Sequence, residues 1–317
     1  MIRISGTGMG VPARSVTNAE LAAFLDTSDE WITSRTGIKS RFVATSETLT
    51  ELSERAARQA MDAAGLTACD IDTVIACTIG GDYRTPSLAC AVAERLGAKG
   101  PAFDVNAACT GMIYALDIAA LYINAGRADN ILIVCAEMMS RHVDWADRGT
   151  CVLFGDGAAA CAVTRGGALR YIKTGGEPNA GILNLPAGGG CSPFITEPKP
   201  CGTLRMEGQE VFKFAVRTVE REISEALGAL SLTPSDVDWF ILHQANKRII
   251  DAARSRLKLP ERKFPLNLDR YANTSAAATP LLLHEMAASG RIKPGDTLLL
   301  CAFGSGMTTG TCVLIWE

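Results

Sequence analysis

The sequence predicts an α/β fold built from two similar halves, dividing at residues 1–165 and 166–317. Three observations predict it. The chain repeats itself: "LTACDIDTVI" from Leu66 is matched by "LTPSDVDWFI" from Leu232. In the same order, "AGRADNILIVCA" from Ala125 is matched by "SGRIKPGDTLLLCA" from Ser289, and "FGDGAAACAV" from Phe154 by "FGSGMTTGTCVL" from Phe303. Three matches in register point to a duplicated unit. Short runs that are apolar throughout alternate with helical periodicities, the pattern of sheets covered on both faces. Finally, 317 residues exceed what one hydrophobic core usually serves.

The elements follow in order. "GTGMG" at residues 6–10 has the wrong glycine spacing for a dinucleotide site, and Val11-Pro12 follows where a helix should begin, so it reads as a turn after a first strand. "DTVIACTI" is a strand, "PSLACAVAERLG" a helix and "AFDV" a strand. In "GMIYALDIAALYINAG", Met112, Ile113, Leu116, Ile118, Ala119 and Ala120 recur at helical spacing. "NILIVCAE" is a strand, and "CVLFGDGAAACAVT" a strand or hairpin interrupted by a tight Gly turn at residues 154–157. Residues 175–202, rich in Gly and Pro, read as a long surface connection. The second half offers the helix "GQEVFKFAVRTVEREISEALGAL", the strand "DWFILH" and the helix "NKRIIDAARSRLK". The helix "ATPLLLHEMAASG" and the strands "TLLLCAF" and "TCVLIWE" complete it.

Composition narrows the function classes. Hydrophobic residues make up 48% and charged residues 21%, and 31 basic against 34 acidic residues leave a net charge of −3. That balance argues against a nucleic-acid or membrane-surface role. Eleven cysteines are scattered without a C-x-x-C pair, so no zinc ribbon, thioredoxin-type site or other metal centre is expected. The first 15 residues carry no apolar signal region, and no apolar run is long enough to span a bilayer. A cytoplasmic protein with free thiols is the expectation.

Three polar residues stand at strand-to-helix junctions. Cys109, in "FDVNAACTGMIYAL", sits where a strand-like run becomes a helix, among the small residues Ala107, Ala108 and Gly111. There the unpaired N–H groups and the positive end of the helix dipole favour a thiolate, so an adjacent base is not strictly required. His243 ends "WFIL" and opens "HQAN"; His142 is expected to face solvent and His284 to be packed or half exposed in its helix. Asn273 lies in "DRYANTSAAATP", before a helix. Each alone is ordinary: a buried thiol, a packed histidine, a helix cap. Together they suit acyl transfer through a thioester, with cysteine holding the acyl group and His and Asn donating to a developing enolate oxygen.

At these residues the chain resembles the β-ketoacyl-acyl-carrier-protein synthase III family, the condensing enzymes that start fatty acid synthesis, within the thiolase fold. The motifs are "TSDEWITSRTGI" at 27–38, "AFDVNAACTGMIYAL", "DRGTCVLFGDGAAA", "EGQEVFKFAV", "HQANKRII", "LDRYANTSAAATP" and "FGSGMTTG". The resemblance implies five-layered αβαβα subunits paired as a homodimer. It implies that an acyl-CoA, acetyl-CoA by default, acylates Cys109, and that malonyl-acyl carrier protein then loses carbon dioxide while His243 and Asn273 hold the enolate. The N–H groups of Cys109 and Ser305 would form the oxyanion hole. Trp31 and Arg148 would stack on the adenine of CoA, with Thr27 and Arg35 at the nucleotide end and Gly208, Phe212, Ala245 and Asn246 along the pantetheine. CoA enters as part of the substrate, and no separate cofactor is implied. Gln244, Lys247, Arg248, Arg254 and Lys258 would dock the acidic carrier protein, three of them falling on one helical face. Thr85 stands where some members of the family carry a Phe that reaches into the partner's acyl pocket, so longer or branched primers are expected to fit.

The nearest rivals share the fold. A degradative thiolase would need a second cysteine, and chain-elongating enzymes a second histidine in place of Asn273. A specialised-metabolite or acetoacetyl-CoA-forming synthase keeps Cys, His and Asn. A papain-like protease runs the same three residues in order, but Cys109 lacks its local signature and the duplication has no place there. An inactive scaffold is disfavoured because all three polar groups are present.

Overall fold

The computed structural model describes residues 1–188, 194, 195, 197 and 201–317. The first half contributes β1 (Ile2–Gly10), β2 (Ser15–Thr17), α1 (Asn18–Ala22), α2 (Asp29–Thr36), β3 (Ser40–Phe42) and α3 (Leu49–Ala64). β4 (Thr73–Cys77), α4 (Leu88–Leu96), β5 (Ala102–Val105), α5 (Gly111–Asn124), β6 (Asn130–Met138) and β7 (Asp156–Arg165) follow. The second half begins with β8 (Leu169–Asn179), β9 (Leu183–Asn184), β10 (Arg205–Met206), α6 (Gly208–Leu230) and β11 (Trp239–Leu242). It ends with α7 (Lys247–Leu257), α8 (Leu268–Tyr271), α9 (Ala278–Ala288), β12 (Thr297–Gly304) and β13 (Gly306–Ile315).

The duplication is one of topology. One sheet runs β1-β7-β6-β4-β5 and the other β11-β12-β13-β8. β4 and β6 are parallel, as are β11 and β12; β6 and β7 are antiparallel, as are β12 and β13. Both sheets close on an antiparallel edge, β1 on β7 and β8 on β13. The repeated sequences lead into or lie on matching strands, β4 with β11, β6 with β12 and β7 with β13. Among the described residues the second sheet has no counterpart of β5.

Helices fill three layers around these two sheets. α3 covers the outer face of the first sheet and α6 that of the second, while α5 and α9 lie between them. Position explains composition: α5 buries Met112, Ile113, Ala115, Leu116, Ala119, Ala120 and Ile123 because both of its sides meet a sheet. α3, with one side to solvent, is amphipathic and starts on a capping box between Thr48 and Glu51. The five-layered αβαβα order is the one the resemblance implied. Among the described residues, no helix is long and apolar enough to cross a membrane.

Several sequence expectations are corrected. Residues 6–10 are the second part of β1, paired with β7, rather than a turn. Their glycines let α3 approach: a Cβ at Gly6, Gly8 or Gly10 would fall 2.1 Å from the carbonyl oxygen of Ala60, Ala56 or Leu52. The turn expected at 154–157 is shorter, because Asp156 and Gly157 already pair with Met138 and Glu137 in the sheet. The expected surface connection starts later than residue 175, since Gly175, Gly176 and Asn179 pair with β13. Ladder hydrogen bonds there outweigh the low strand preference of glycine. Within that connection, residues 189–193, 196 and 198–200 lie outside the described residues. His142 is half-buried rather than solvent-facing, as is His284.

Candidate active site

Cys109 belongs to a single 3₁₀ turn, residues 108–110, that runs directly into α5. The turn forms because Ala108 takes φ 46°, a left-handed conformation costing about 1–3 kcal/mol for a residue with a Cβ. Gly304, the last residue of β12, comes so close that a Cβ there would lie 2.9 Å from the Cys109 backbone nitrogen. Left-handed backbone gathers here: of six such non-glycine residues among those described, Ala108, Ala272, Ser275 and Met307 adjoin the site, while Ser231 and Lys258 close helices. Strain of that kind persists only where packing enforces it.

Asn273 is held by its backbone. Its N–H donates to Leu153 at 2.9 Å and its carbonyl accepts from Gly155 at 3.1 Å. Gly155 is required for this approach, since a Cβ there would lie 2.5 Å from the Tyr271 carbonyl oxygen. The buried Arg41 guanidinium donates to Asn18 and to the Val152 carbonyl, both at 2.8 Å, fixing the same turn. The Asn273 side chain is oriented too: its Oδ1 accepts the Ser275 N–H at 2.9 Å. The carboxamide NH₂ is therefore left to donate elsewhere.

His243 follows β11, its N–H donating to Cys301 at 2.9 Å, and its ring stands edge-on to Phe303 at 5.4 Å. Burial drives its imidazole pKa down to about 3, so the ring is neutral at physiological pH. Cys109, His243 and Asn273 all line one cavity of about 760 Å³. Cys109 also lines a second cavity of about 500 Å³, walled by Ile79, Ala107, Met139, Leu185 and Leu204. The sulfur thus sits where the two cavities meet.

One electrostatic expectation is overturned. Desolvation works against the thiolate that the helix terminus favours, pushing the half-buried thiol up to about 12, and the nearby charge of Glu137 adds to the effect. A hydrogen bond from the Cys109 thiol to Ser275 Oγ, at 3.5 Å, opposes it only partly.

The tunnel mouth contains most of the residues expected around CoA. Trp31, Arg35, Arg148, Gly208, Phe212, Ala245 and Asn246 line the large cavity; Thr27 does not. Arg148 and Arg35 lie over the Trp31 indole, at 5.3 and 5.4 Å from its centroid. A base between Trp31 and Arg148 needs two van der Waals contacts, about 7 Å in all, so Arg148 must first leave its bonds to Asp26. Asn246 caps α7 and donates to the Arg35 carbonyl. Ser305 lines the smaller cavity; its hydroxyl is spent on Leu183, leaving only its backbone N–H for an oxyanion.

The docking set divides. Gln244 is fully buried, bonding Leu242 and Asn267 through its amide, and is removed from that set because it has no surface to offer. Arg248 is exposed and stacks over Phe212 at the mouth; Lys258 is exposed at the end of α7. Lys247 and Arg254 face Asp251, which lies between them and neutralises part of the patch. Thr85 is exposed and lines neither cavity within its own chain. Two residues that the sequence reading missed also belong here: Glu137, buried at the end of β6, and Ser275, which bridges it to Cys109.

Two duplicated halves meeting at a cysteine, a neutral imidazole and an oriented carboxamide define a condensing acyltransferase of the thiolase-like fold. Known proteins narrow this. The model of the 3-oxoacyl-[acyl-carrier-protein] synthase III family matches residues 103–175, and that of its C-terminal region residues 227–316. The β-ketoacyl-[acyl-carrier-protein] synthase III of Aquifex aeolicus is 44% identical over 315 residues, covering 98% of each chain. That of Caldanaerobacter subterraneus is 45% identical over 326 residues, covering 99% of this chain and 97% of the relative. The crystal structure of the Aquifex aeolicus enzyme superposes with TM-score 0.93 at 42% identity over 100% of both chains, and that from Thermus thermophilus with TM-score 0.90 at 42% identity over 99% of both. The chain belongs to the β-ketoacyl-acyl-carrier-protein synthase III family, and it is an acyltransferase.

Proposed function

We propose that this chain starts fatty acid synthesis by condensing an acyl-CoA primer, acetyl-CoA by default, with malonyl-acyl carrier protein, giving 3-oxoacyl carrier protein, CoA and carbon dioxide. The observation that carries the reading is the Ser275 N–H bond to Asn273 Oδ1, which leaves the carboxamide NH₂ to donate in the cavity that Cys109 and the neutral His243 ring also line.

In the first half-reaction the primer thioester enters the tunnel and its acyl group passes to Cys109, expelling CoA. The N–H groups of Cys109 and Ser305 take the oxyanion of the tetrahedral intermediate. In the second, malonyl thioester occupies the same tunnel. Loss of carbon dioxide leaves an enolate whose oxygen is held by His243 and Asn273, and its carbon attacks the acyl-Cys109 thioester. Neutral donors suit this step, because they stabilise charge that develops only as carbon dioxide departs. No metal or separate cofactor takes part; CoA is a substrate fragment gripped by Trp31 and Arg148 once Arg148 turns from Asp26.

Exposed Arg248 at the mouth and exposed Lys258 at the far end of α7 have the right sign for an acidic carrier protein. The second cavity of about 500 Å³ that Cys109 also lines supports primers longer than acetyl. A homodimer is supported by β5, which ends its sheet with one edge unpaired among the described residues, beside half-buried Phe103 and Tyr122 and a 64% exposed Leu121. We place the enzyme in the cytoplasm, where its thiols stay reduced. The test is a choice of extender: enzyme loaded with an acyl-CoA is offered malonyl-acyl carrier protein or malonyl-CoA. The expected product is 3-oxoacyl carrier protein; product from malonyl-CoA alone would assign the chain to acetoacetyl-CoA formation instead.

A further inference from the structure

The site as described lacks an acceptor for the Cys109 proton. Among the described residues the Cys109 thiol hydrogen-bonds neither His243 nor Asn273. Behind the sulfur, away from the tunnel, the structure contains a continuous polar path. Cys109 Sγ bonds Ser275 Oγ at 3.5 Å, and Ser275 Oγ donates to Glu137 Oε1 at 3.0 Å. Glu137 is fully buried in the first sheet, and its other oxygen accepts from Thr78 Oγ1 at 3.3 Å and the Ile79 N–H at 3.2 Å. A buried carboxylate is costly unless something uses it.

We propose that Ser275 and Glu137 form a proton relay that stores the Cys109 proton while the enzyme is acylated and returns it when the product leaves. This rests on the acyl-Cys109 reading above. In acylation the Cys109 S–H proton passes to Ser275 Oγ as the Ser275 hydroxyl proton passes to the Glu137 carboxylate. The sulfur electron pair forms the new thioester bond, and the primer's C–S bond breaks to release CoA thiolate, which takes a proton from solvent at the tunnel mouth. In condensation the enolate carbon attacks that thioester and the C–S bond to Cys109 breaks. The sulfur leaves with the electron pair, and the stored proton returns from Glu137 through Ser275. One proton from solvent is consumed per turnover, matching the release of carbon dioxide from a malonyl carboxylate.

The surroundings of Glu137 fit a group that changes protonation state. Burial raises its carboxyl to about 7, offset by the bonds from Ile79, Ser275 and Thr78. The titratable groups whose charge interacts with it are thiols, Cys109 before α5 and Cys135 on its own strand. Glu137 makes no ion pair among the described residues; its anionic form is held only by hydrogen bonds from Ile79, Ser275, Thr78 and the Ala276 N–H. Ser275 is held in its left-handed conformation by its N–H bond to Asn273, which aims one residue's backbone at the enolate donor and its hydroxyl at the sulfur. Glu137 and Ser275 act through Cys109; they do not hold the enolate.

The experiment measures the rate of Cys109 acylation by acetyl-CoA against pH, by intact mass, in wild type, Glu137→Gln, Ser275→Ala and His243→Ala. Wild type should accelerate as pH rises through about 7. Glu137→Gln should lose that inflection and acylate about 10²–10³-fold more slowly at pH 7, a range within that of general-base catalysis. Ser275→Ala should behave alike, so the result does not depend on one variant folding, and Glu137→Asp should recover part of the rate. His243→Ala should still acylate while failing to decarboxylate malonyl carrier protein. The relay is overturned if both relay variants keep the wild-type rate and pH profile, or if His243→Ala alone abolishes acylation. Failure of wild type to acquire any acyl group on Cys109 would instead reject the reading on which the relay rests.

Discussion

Replacing Asn273 by Asp separates the two half-reactions. The carboxylate keeps an oxygen where Oδ1 accepts the Ser275 N–H at 2.9 Å, so the backbone around the sulfur stays in place. What is lost is the NH₂ donor toward the cavity, replaced by a charge of the same sign as the enolate. Removing one preorganised donor from such a site costs about 10²–10³ in rate, or about 2.7–4 kcal/mol. Repulsion by the new charge places the expected loss at the upper end of that range. Acylation of Cys109 involves no enolate and should fall far less, by only the added difficulty of forming a thiolate near an anion. The assay pairs intact mass for acyl transfer with carbon dioxide release from malonyl carrier protein. Decarboxylation within about threefold of wild type, or equal losses in both steps, would refute the assignment of Asn273 as enolate donor.

Three further outcomes follow from the geometry. His243 carries a pKa depressed from 6.5 to about 3, so the unfolded chain binds a proton that the folded chain refuses, and folded stability should fall as pH drops below about 6.5; His243→Gln should flatten that part of the thermal-stability profile, and an unchanged profile would contradict the neutral ring. Gly155→Ala drives a Cβ to 2.5 Å from the Tyr271 carbonyl and should cost about 1–3 kcal/mol in denaturant unfolding, together with activity, because the displaced backbone is the one that holds Asn273. Octanoyl-CoA should acylate Cys109 as acetyl-CoA does, given the 500 Å³ cavity and the small Thr85; a flat refusal would reject the expectation of longer primers.

The fold was legible where apolar runs repeat. The strand pairs β4 with β11 and β6 with β12 show in sequence because their residues are buried on both faces, leaving unbroken apolar stretches. Glycine misled twice in the same direction: at residues 6–10 and 175–176 it reads as turn or loop, yet these residues are in strands, where the missing side chains admit α3 or tolerate pairing with β13. That Cys109, His243 and Asn273 share one cavity was legible from their positions at strand-to-helix junctions. The protonation of Cys109 was not, because a helix terminus is visible in a sequence and the desolvation around a sulfur is not. Gln244 was misassigned for a similar reason, since it neighbours an exposed basic helix but turns inward to bond Asn267. Glu137 did leave a signal, a carboxylate inside "ILIVCAEMM", where a buried strand would not otherwise carry one.

The account depends on one sulfur exchanging one acyl group, and intact-mass and peptide mapping test this directly. Enzyme mixed with acetyl-CoA should gain a single acetyl group, located on Cys109, and should lose it on addition of malonyl-acyl carrier protein as 3-oxoacyl carrier protein forms. An acetyl group on any other of the cysteines, or product formed at the wild-type rate by Cys109→Ala, would contradict it.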